Sequence, residues 1–308
     1  MKGRAMVRLG MNTGKKFKHD SLVAWAFLLP MAIYYTIFSI IAVVFVIVLS
    51  FGTWNVLAGG FENFRFSGFT NYIEIFSEPL YLKVFGNTIL MGVIILAANM
   101  VFGLFLAIML NRGLHFQNLQ RLLWYLPVVV SMAVMSDIFG KMLVNGREGT
   151  FNMILIRLGL APVLWSESTF WMFFWIIFLT IWKSLGNTVL YYIAGLNGIP
   201  QELYEVGKIE GCNVWQKFVY ITLPMLKPMI SFIFITSLIN IFNIFEQVQL
   251  ISQGGPDNST EVVMFRIYNE AFQNFNMGIS SALSVIVLVI VVIITTLSMK
   301  TINIQLDA

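Results

Sequence analysis

Six long apolar runs constrain this chain more than anything else in it: Leu22–Ser50, Phe85–Leu110, Leu122–Val144, Phe170–Tyr192, Pro228–Ile251 and Met277–Met299. A bilayer core of about 30 Å takes roughly 20 helical residues, and each run is long enough. No water reaches a backbone N–H or C=O in lipid, so a spanning segment must close its hydrogen bonds internally as a helix. Of 308 residues, 58% are hydrophobic and only 11% charged, against about 25% charged in soluble domains. The expected fold class is therefore an all-α integral membrane protein with six transmembrane helices. The first run is overlong and carries Pro30, which predicts either a kink or a start before the hydrocarbon. It is too long for a signal-peptide core and lacks a small-residue cleavage site.

Charge sets the orientation. Lys2, Arg4, Arg8, Lys15, Lys16, Lys18, Arg112, Arg121, Lys208, Lys217, Lys227 and Lys300 fall on one side of the six runs, and only Arg65, Lys83, Arg147, Arg157 and Arg266 on the other. The basic side faces the cytoplasm, so both termini are expected there. This divides the chain into a basic cytoplasmic tail at 1–20, a first span with its external loop at 21–84, a five-helix core at 85–300, and a cytoplasmic C-terminal tail at 301–308. The external loops, Gly52–Lys83, Asn145–Thr169 and Ser252–Asn276, carry Gly, Pro, aromatic and acidic residues and read as folded. Basic residues at a membrane edge point to lipid, not nucleic acid. One cysteine, Cys212, leaves no internal disulfide, and His19 and His115 lie far apart, so no metal site or cofactor is expected. Gly10-Met-Asn-Thr-Gly14-Lys15-Lys16 has one residue too few for a phosphate loop and no hydroxyl for magnesium. No catalytic set of side chains is visible, so the chain is not expected to be an enzyme.

The polar segment at 199–224, between the fourth and fifth runs, has its own grammar. Pro200 suits a first helical turn, where its missing N–H costs nothing. Gly211 breaks the helix-prone stretch that follows. Asn213, with Gln216 three residues on, is the pattern of a capping box opening a second short helix, which Pro224 closes. The product is a helix–glycine–helix loop on the cytoplasmic face, offered to a partner.

Those residues resemble the signature of binding-protein-dependent ABC transporter permeases: Glu-Ala-Ala, three residues, Gly, nine residues, Ile-x-Leu-Pro. Glu205 stands at the Glu, Gly211 at the Gly, and Ile221-Thr222-Leu223-Pro224 at the end. Val206-Gly207 replaces the Ala pair and weakens the local helix propensity. Three further segments are similar to the carbohydrate branch of that family: Arg121 to Pro127, Gly149 to Asn152 with Leu158-Gly159-Leu160, and Gly254-Gly-Pro-Asp-Asn-Ser-Thr260 with Ile267-Tyr268 and Ala271-Phe272. The last set resembles the first permease subunit of maltose and glycerol-phosphate systems. The resemblance implies a sugar importer working by alternating access. It implies four kinds of partner: a second, homologous permease forming a hetero-dimer, two cytoplasmic ATP-binding subunits, an extracytoplasmic sugar-binding protein, and the bilayer. It implies that Glu202, Glu205, Gly207, Gly211, Ile221, Leu223 and Pro224 form the loop through which the ATPases act.

Polar residues inside the runs bear on other classes of transporter, because a mid-bilayer charge costs about 2.5–3.5 kcal/mol on insertion scales. Asp137 and Lys141 are one helical turn apart and are expected to pair. Lys183 is expected to snorkel toward the interface. No proton-relay chain is visible, which disfavours an ion-coupled carrier. A non-transporting scaffold is the other alternative. Asn240, Asn243 and Gln247, with Glu246 adjoining, recur at helical spacing in the fifth run. They either join helices or line a hydrated path, and the path is the expectation carried forward. Asn87, Asn99 and Asn187 are expected to link helices. Gly254-Gly255-Pro256 is a turn, open between a simple re-entry and the docking of a binding protein, with Ser259, Thr260 and Glu261 expected to cap the helix after it.

Overall fold

The computed structural model describes Trp25 and residues 27–111 and 117–306. The N-terminal basic tail, the start of the first run, and Arg112 to Phe116 lie outside the described residues.

The chain is built almost entirely of helices. The first, α1, covers Phe27–Ser50 and runs through Pro30 without a break. Two short strands follow, β1 at Gly52–Thr53 and β2 at Arg65–Phe66, paired antiparallel with Gly52 opposite Phe66. This small ladder and an isolated bridge between Asn55 and Asn276 are the only β pairings among the described residues. Then come α2 (Thr70–Ser77), α3 (Pro79–Leu110), α4 (Gln117–Val129), α5 (Met132–Met142), α6 (Thr150–Arg157) and α7 (Thr169–Asn197). Beyond them lie α8 (Gln201–Ile209), α9 (Val214–Met225), α10 (Lys227–Ile241), α11 (Val263–Tyr268) and α12 (Met277–Leu306). Four helices, α1, α3, α7 and α12, are individually long and apolar enough to cross a membrane; the pairs α4/α5 and α9/α10 bring the number to six if each bent pair is one span. α3 starts at Pro79, six residues before the expected run, and α12 continues to Leu306 through most of the expected C-terminal tail.

The centre of the bundle is α3 against α7, with α10 packed on both. Contact is close because glycines sit at the crossings: a Cβ on Gly92 would overlap Ile241, and one on Gly103 would overlap Thr188, the small-residue packing that brings membrane helices together. α1 stands at the periphery, chiefly along α12, and most of its surface is exposed. At the other side of the bundle, fully buried Asn152 fixes the segment before α7. It donates to Val163 O and accepts from Val163 N–H, both at 2.8 Å, and from Trp165 Nε1 at 3.0 Å. Gly159, with φ +78°, ends α6. These bonds give a local reason for the Gly-Thr-Phe-Asn and Leu-Gly-Leu segments.

The third run is not one straight helix. α4 and α5 meet at 88° across Val130 and Ser131. Pro127 lacks the N–H that would bond one turn back, and Ser131 leaves helical geometry with ψ 137°. The carbonyls freed at the bend are taken by Lys183 of α7. Its Nζ donates to Val128 O at 3.1 Å, to Pro127 O at 3.5 Å and to Val130 O. Lys183 therefore does not snorkel; its charge is spent inside the protein on a helix C-terminus. One turn along, α4 backbone approaches Gly186 so closely that a Cβ there would lie 2.6 Å from Trp124 O. Asp137 and Lys141 pair as expected, at 2.7 Å and exposed.

Replacing Lys183 with Met is expected to cost about 1–3 kcal/mol, since it leaves the half-buried carbonyls of Pro127 and Val128 without their donor. Removing the exposed Asp137–Lys141 pair is expected to change stability by only about 0.3–0.5 kcal/mol. Thermal unfolding of the purified variants in one detergent measures the contrast, and equal shifts would remove Lys183 from its structural role.

Candidate functional site

Three regions carry polar chemistry or partner surface. The first is the α8–α9 hairpin. Cys212 N–H donates to Gly207 O at 2.9 Å and Gly211 N–H to Lys208 O at 3.2 Å, the paired bonds of a Schellman turn. Gly211 takes φ +77°. Asn213 Oδ1 accepts from Gln216 N–H and Gln216 Oε1 from Asn213 N–H, each at 2.8 Å, so the capping box forms as read. Two proline readings are corrected. Pro200 is the N-cap of α8, not part of its first turn. Pro224 does not close α9, which passes through a wide turn at Phe218–Thr222, reaches Met225, and bends by 63° into α10. After that wide turn Pro224 falls in the first turn of the resumed helix, where no donor is required.

The hairpin has an inner and an outer face. Inside, buried Gly207 lets Ile221 approach: Ile221 Cδ1 lies 3.0 Å from where a Cβ would stand. Beside them Tyr204 Oη and Thr222 Oγ1 share a hydrogen bond of 2.9 Å. Outside lie Glu202, Glu205, Gly211, Leu223 and Pro224, all exposed. Ile209, Val214, Trp215 and Tyr220 are at least 70% exposed. So five of the seven expected loop residues are exposed, Leu223 beside a cavity it shares with α3 and α7, while Gly207 and Ile221 hold the two helices together. The apolar outer residues were not singled out in the sequence, where their lack of helical periodicity hid them.

Gly211→Val is expected to destabilise the turn by about 1–2 kcal/mol through its left-handed backbone, and Gly211→Asn by clearly less, since asparagine tolerates that region. Nothing lies within 4 Å of a Cβ at Gly211, so room is not the limit. Hydrogen exchange of the Gly207–Gln216 amides measures the order of the variants; equal exchange in Val and Asn variants would refute it.

The second region is a cavity of about 150 Å³ between α3, α7 and α10. Its polar lining includes Asn99, Thr180, Ser184, Asn187, Thr236 and Asn240. Asn99 links helices as expected, donating to Ser184 Oγ at 2.8 Å. Asn187 and Asn240 are exposed to the cavity, with no side-chain hydrogen bond among the described residues. The expected single stripe in the fifth run is broken. α10 ends at Ile241, and Phe242 to Phe245 are not helical, so Asn240, Asn243, Glu246 and Gln247 do not share a helix face. Asn243 and Glu246 are exposed, while Gln247 is buried and donates to Thr180 Oγ1 at 3.2 Å. The stripe that does line the cavity is on α7, where Thr180, Ser184, Asn187 and Tyr191 recur at helical spacing. That spacing is visible in the sequence itself.

The third region is the segment at 252–261. Thr260, fully buried, places Oγ1 2.8 Å from Gly255 O and 2.7 Å from Ser252 Oγ. Asn87 links α3 to this segment rather than to a helix, donating to Ser259 O and Glu261 O at 2.8 and 2.9 Å. Lys83 Nζ donates to Asp257 O at 3.0 Å. The cap of α11 is corrected too: Val263 N–H donates to Thr88 Oγ1 of α3 at 2.9 Å, and no side chain of Ser259, Thr260 or Glu261 caps it. Gly254 is buried, Gly255 and Pro256 are half-buried, and Gln253, Asp257 and Asn258 form the exposed tip. Behind it lies a buried ionic group. Arg266 pairs with Glu270 at 2.7 Å and with Glu261 at 3.6 Å. Burial pushes the Glu261 carboxyl above its ordinary range, with Arg266 pulling it back down and Glu270 adding to the rise. Among the described residues no cluster of His, Cys, Asp and Glu could hold a metal.

Membrane-length helices around a polar cavity, with a structured hairpin at one end, define a component of a membrane transport system. The chain belongs to the family of binding-protein-dependent transport system inner membrane components, whose sequence profile matches residues 99–304. It is thus a transporter subunit and not an enzyme. Among relatives, it is 30% identical over 287 residues to a probable ABC transporter permease, YurN, of Bacillus subtilis, covering 91% of this chain and 96% of that one. It is 32% identical over 254 residues to the lactose transport system permease LacF of Rhizobium radiobacter, covering 81% and 83%. It is 31% identical to the arabinooligosaccharides transport system permease AraP of Halalkalibacterium halodurans, covering 91% and 87%. A chain of a bacterial ABC transporter involved in the import of alginate has the same fold, with a TM-score of 0.82 over 94% of this chain and 97% of that one at 23% identity.

Proposed function

We propose that this chain is a permease subunit of a carbohydrate ABC importer. It crosses the bacterial inner membrane six times with both termini in the cytoplasm. A second, homologous permease completes the path, two cytoplasmic ATP-binding subunits bind the α8–α9 hairpin, and an extracytoplasmic binding protein delivers sugar. Alternating access follows from movement of that hairpin. The observation that carries the reading is the outer face of the hairpin. Ile209, Val214, Trp215 and Tyr220 are all exposed on it, with Val214 and Trp215 beside an apolar cavity of about 980 Å³ that they line with Met100, Leu104 and Phe105 of α3, and exposed apolar surface of this kind marks a site of protein or membrane contact. Glu202 and Glu205 supply charge at its edge. The names of the lactose and arabinooligosaccharide relatives support sugar as the cargo. The cavity chemistry agrees: amides and hydroxyls beside Tyr191 suit a sugar ring, with Asn187 and Asn240 as its contacts and Gln247 positioning Thr180. On the opposite side Gln253, Asp257 and Asn258, with Gly254, Gly255 and Pro256 shaping the turn beneath them, meet the binding protein.

Trp215→Ala is expected to leave the permease in the membrane and to release most of the co-purifying ATPase, because a buried interface Trp is commonly worth 2 kcal/mol or more, a loss of ~30-fold in affinity. Asn240→Ala is expected to retain the ATPase and to reduce sugar uptake. Permease abundance, bound ATPase and uptake measured together test both; full ATPase retention in Trp215→Ala refutes the hairpin's role. Orientation has its own test. With Cys212 removed, a cysteine at position 257 is expected to react with an impermeant thiol reagent in intact cells and one at position 208 is not.

A further inference from the structure

At the end of the bundle opposite α8 and α9 lies another cavity, of about 450 Å³, which the transport reading leaves unused. Two segments distant in sequence build it. The chain from β1 to β2 supplies Thr53, Trp54, Asn55, Asn63 and Arg65, and the segment before α12 supplies Asn274 and Asn276. Backbone bonds join them: Met277 N–H donates to Trp54 O at 3.1 Å, and Asn55 and Asn276 form an antiparallel bridge. Phe275, between the two asparagines, has φ +55°, a region a bulky residue enters only where its surroundings impose it.

The lining is amide, hydroxyl, guanidinium and indole, with no carboxylate. Its hydrogen-bonding capacity is partly committed in a way that leaves both senses open. Leu57 N–H occupies Asn55 Oδ1 at 2.9 Å, leaving the Asn55 amide nitrogen to donate. Glu270 Oε2 occupies Asn274 Nδ2 at 3.1 Å, leaving Asn274 Oδ1 to accept. The side chains of Arg65 and Asn276 have no hydrogen-bond partner among the described residues. Donors and acceptors around a hollow with an aromatic wall match hydroxyl groups, which need both at once. A bare anion would use only the single cation, and an apolar ligand would leave the amides unpaired. From this we infer that the cavity is a carbohydrate-binding subsite on the outer rim of the protein, separate from the cavity between α3, α7 and α10. The inference rests on reading the chain as a sugar permease.

The test is saturation-transfer NMR on the full chain in nanodiscs with lactose, maltotriose and trigalacturonate as probes, on wild type, Arg65→Ala, Asn276→Ala and Asn240→Ala. At least one probe is expected to bind wild type, to bind each outer variant about fivefold more weakly, as loss of one hydrogen-bonding side chain implies, and to persist in Asn240→Ala. Binding that is unchanged in both outer variants, or lost only in Asn240→Ala, overturns the outer subsite and leaves the permease reading intact. No binding of any probe to wild type also overturns it, and uptake in cells then judges the permease reading separately. Arg65→Ala that keeps sugar binding but releases the binding protein makes the cavity a protein socket and refutes the proposal.

Discussion

A helix can break inside a bilayer only where something replaces the backbone bonds that the break destroys, and here Lys183 is that replacement. Its ammonium holds the carbonyls of Pro127, Val128 and Val130. Without it the 88° bend between α4 and α5 would leave several acceptors unsatisfied. With it, α5 turns away from the line of α4 and packs instead against the segment around Val248–Ser252. That segment in turn lies on α7, whose polar face lines the central cavity. One long side chain thus fixes the wall of the site from behind. Among the described residues the charge makes no ion pair with an acid, which distinguishes it from the buried partners expected of a proton-coupled carrier.

The loops at the opposite end obey the same rule. The 252–261 segment is irregular; Thr260 ties it to itself through Ser252 and Gly255, and α3 holds it through Lys83 and Asn87, which donate to the carbonyls of Asp257, Ser259 and Glu261. Arg266 binds Glu270 tightly and reaches Glu261 only at 3.6 Å. The segment is therefore a rigid platform whose outward residues are Gln253, Asp257 and Asn258, and the glycines and proline of its turn shape it from within. Buried ionic groups of this kind cost more to assemble than to keep, and they fix geometry rather than add stability.

What the sequence made legible was local. The capping box at Asn213 and Gln216, the left-handed Gly211 and the Asp137–Lys141 pair each depend on residues within one or two turns, and each was found where read. The six apolar runs were legible because length and hydropathy are properties of single segments. The errors came where two distant segments meet. Lys183 binds carbonyls more than fifty residues away, and Thr88 caps a helix 175 residues on; no spacing announces either. The stripe in the fifth run failed for a different reason. A helical period was carried across Phe242 to Phe245, where the helix had already ended, so residues in phase on paper diverge in space. The equally regular series on α7 survives because Thr169–Asn197 is one unbroken helix.

The position of the bend between α9 and α10 links the two ends of the proposed mechanism. Leu226 sits at that bend and is fully buried. Its N–H donates to Thr222 O at 3.0 Å and its carbonyl accepts from Ile230 N–H at 2.9 Å, so hydrogen bonding continues across the 63° change of direction. A continuous backbone with a buried pivot does not absorb a push by local unfolding; displacing it would strip Leu226 of its packing against the α7 end of the bundle. On the proposed function, a force on α9 would reach α10 through Leu226. α10 carries Thr236 and Asn240 into the cavity wall, and Ile241 rests against Gly92, where no side chain cushions the contact. Rotation of α10 must then move the cavity's polar wall against α3. On the proposed function, the hairpin, the pivot and α10 are three consecutive parts of one stretch of chain leading from the surface to the cavity wall.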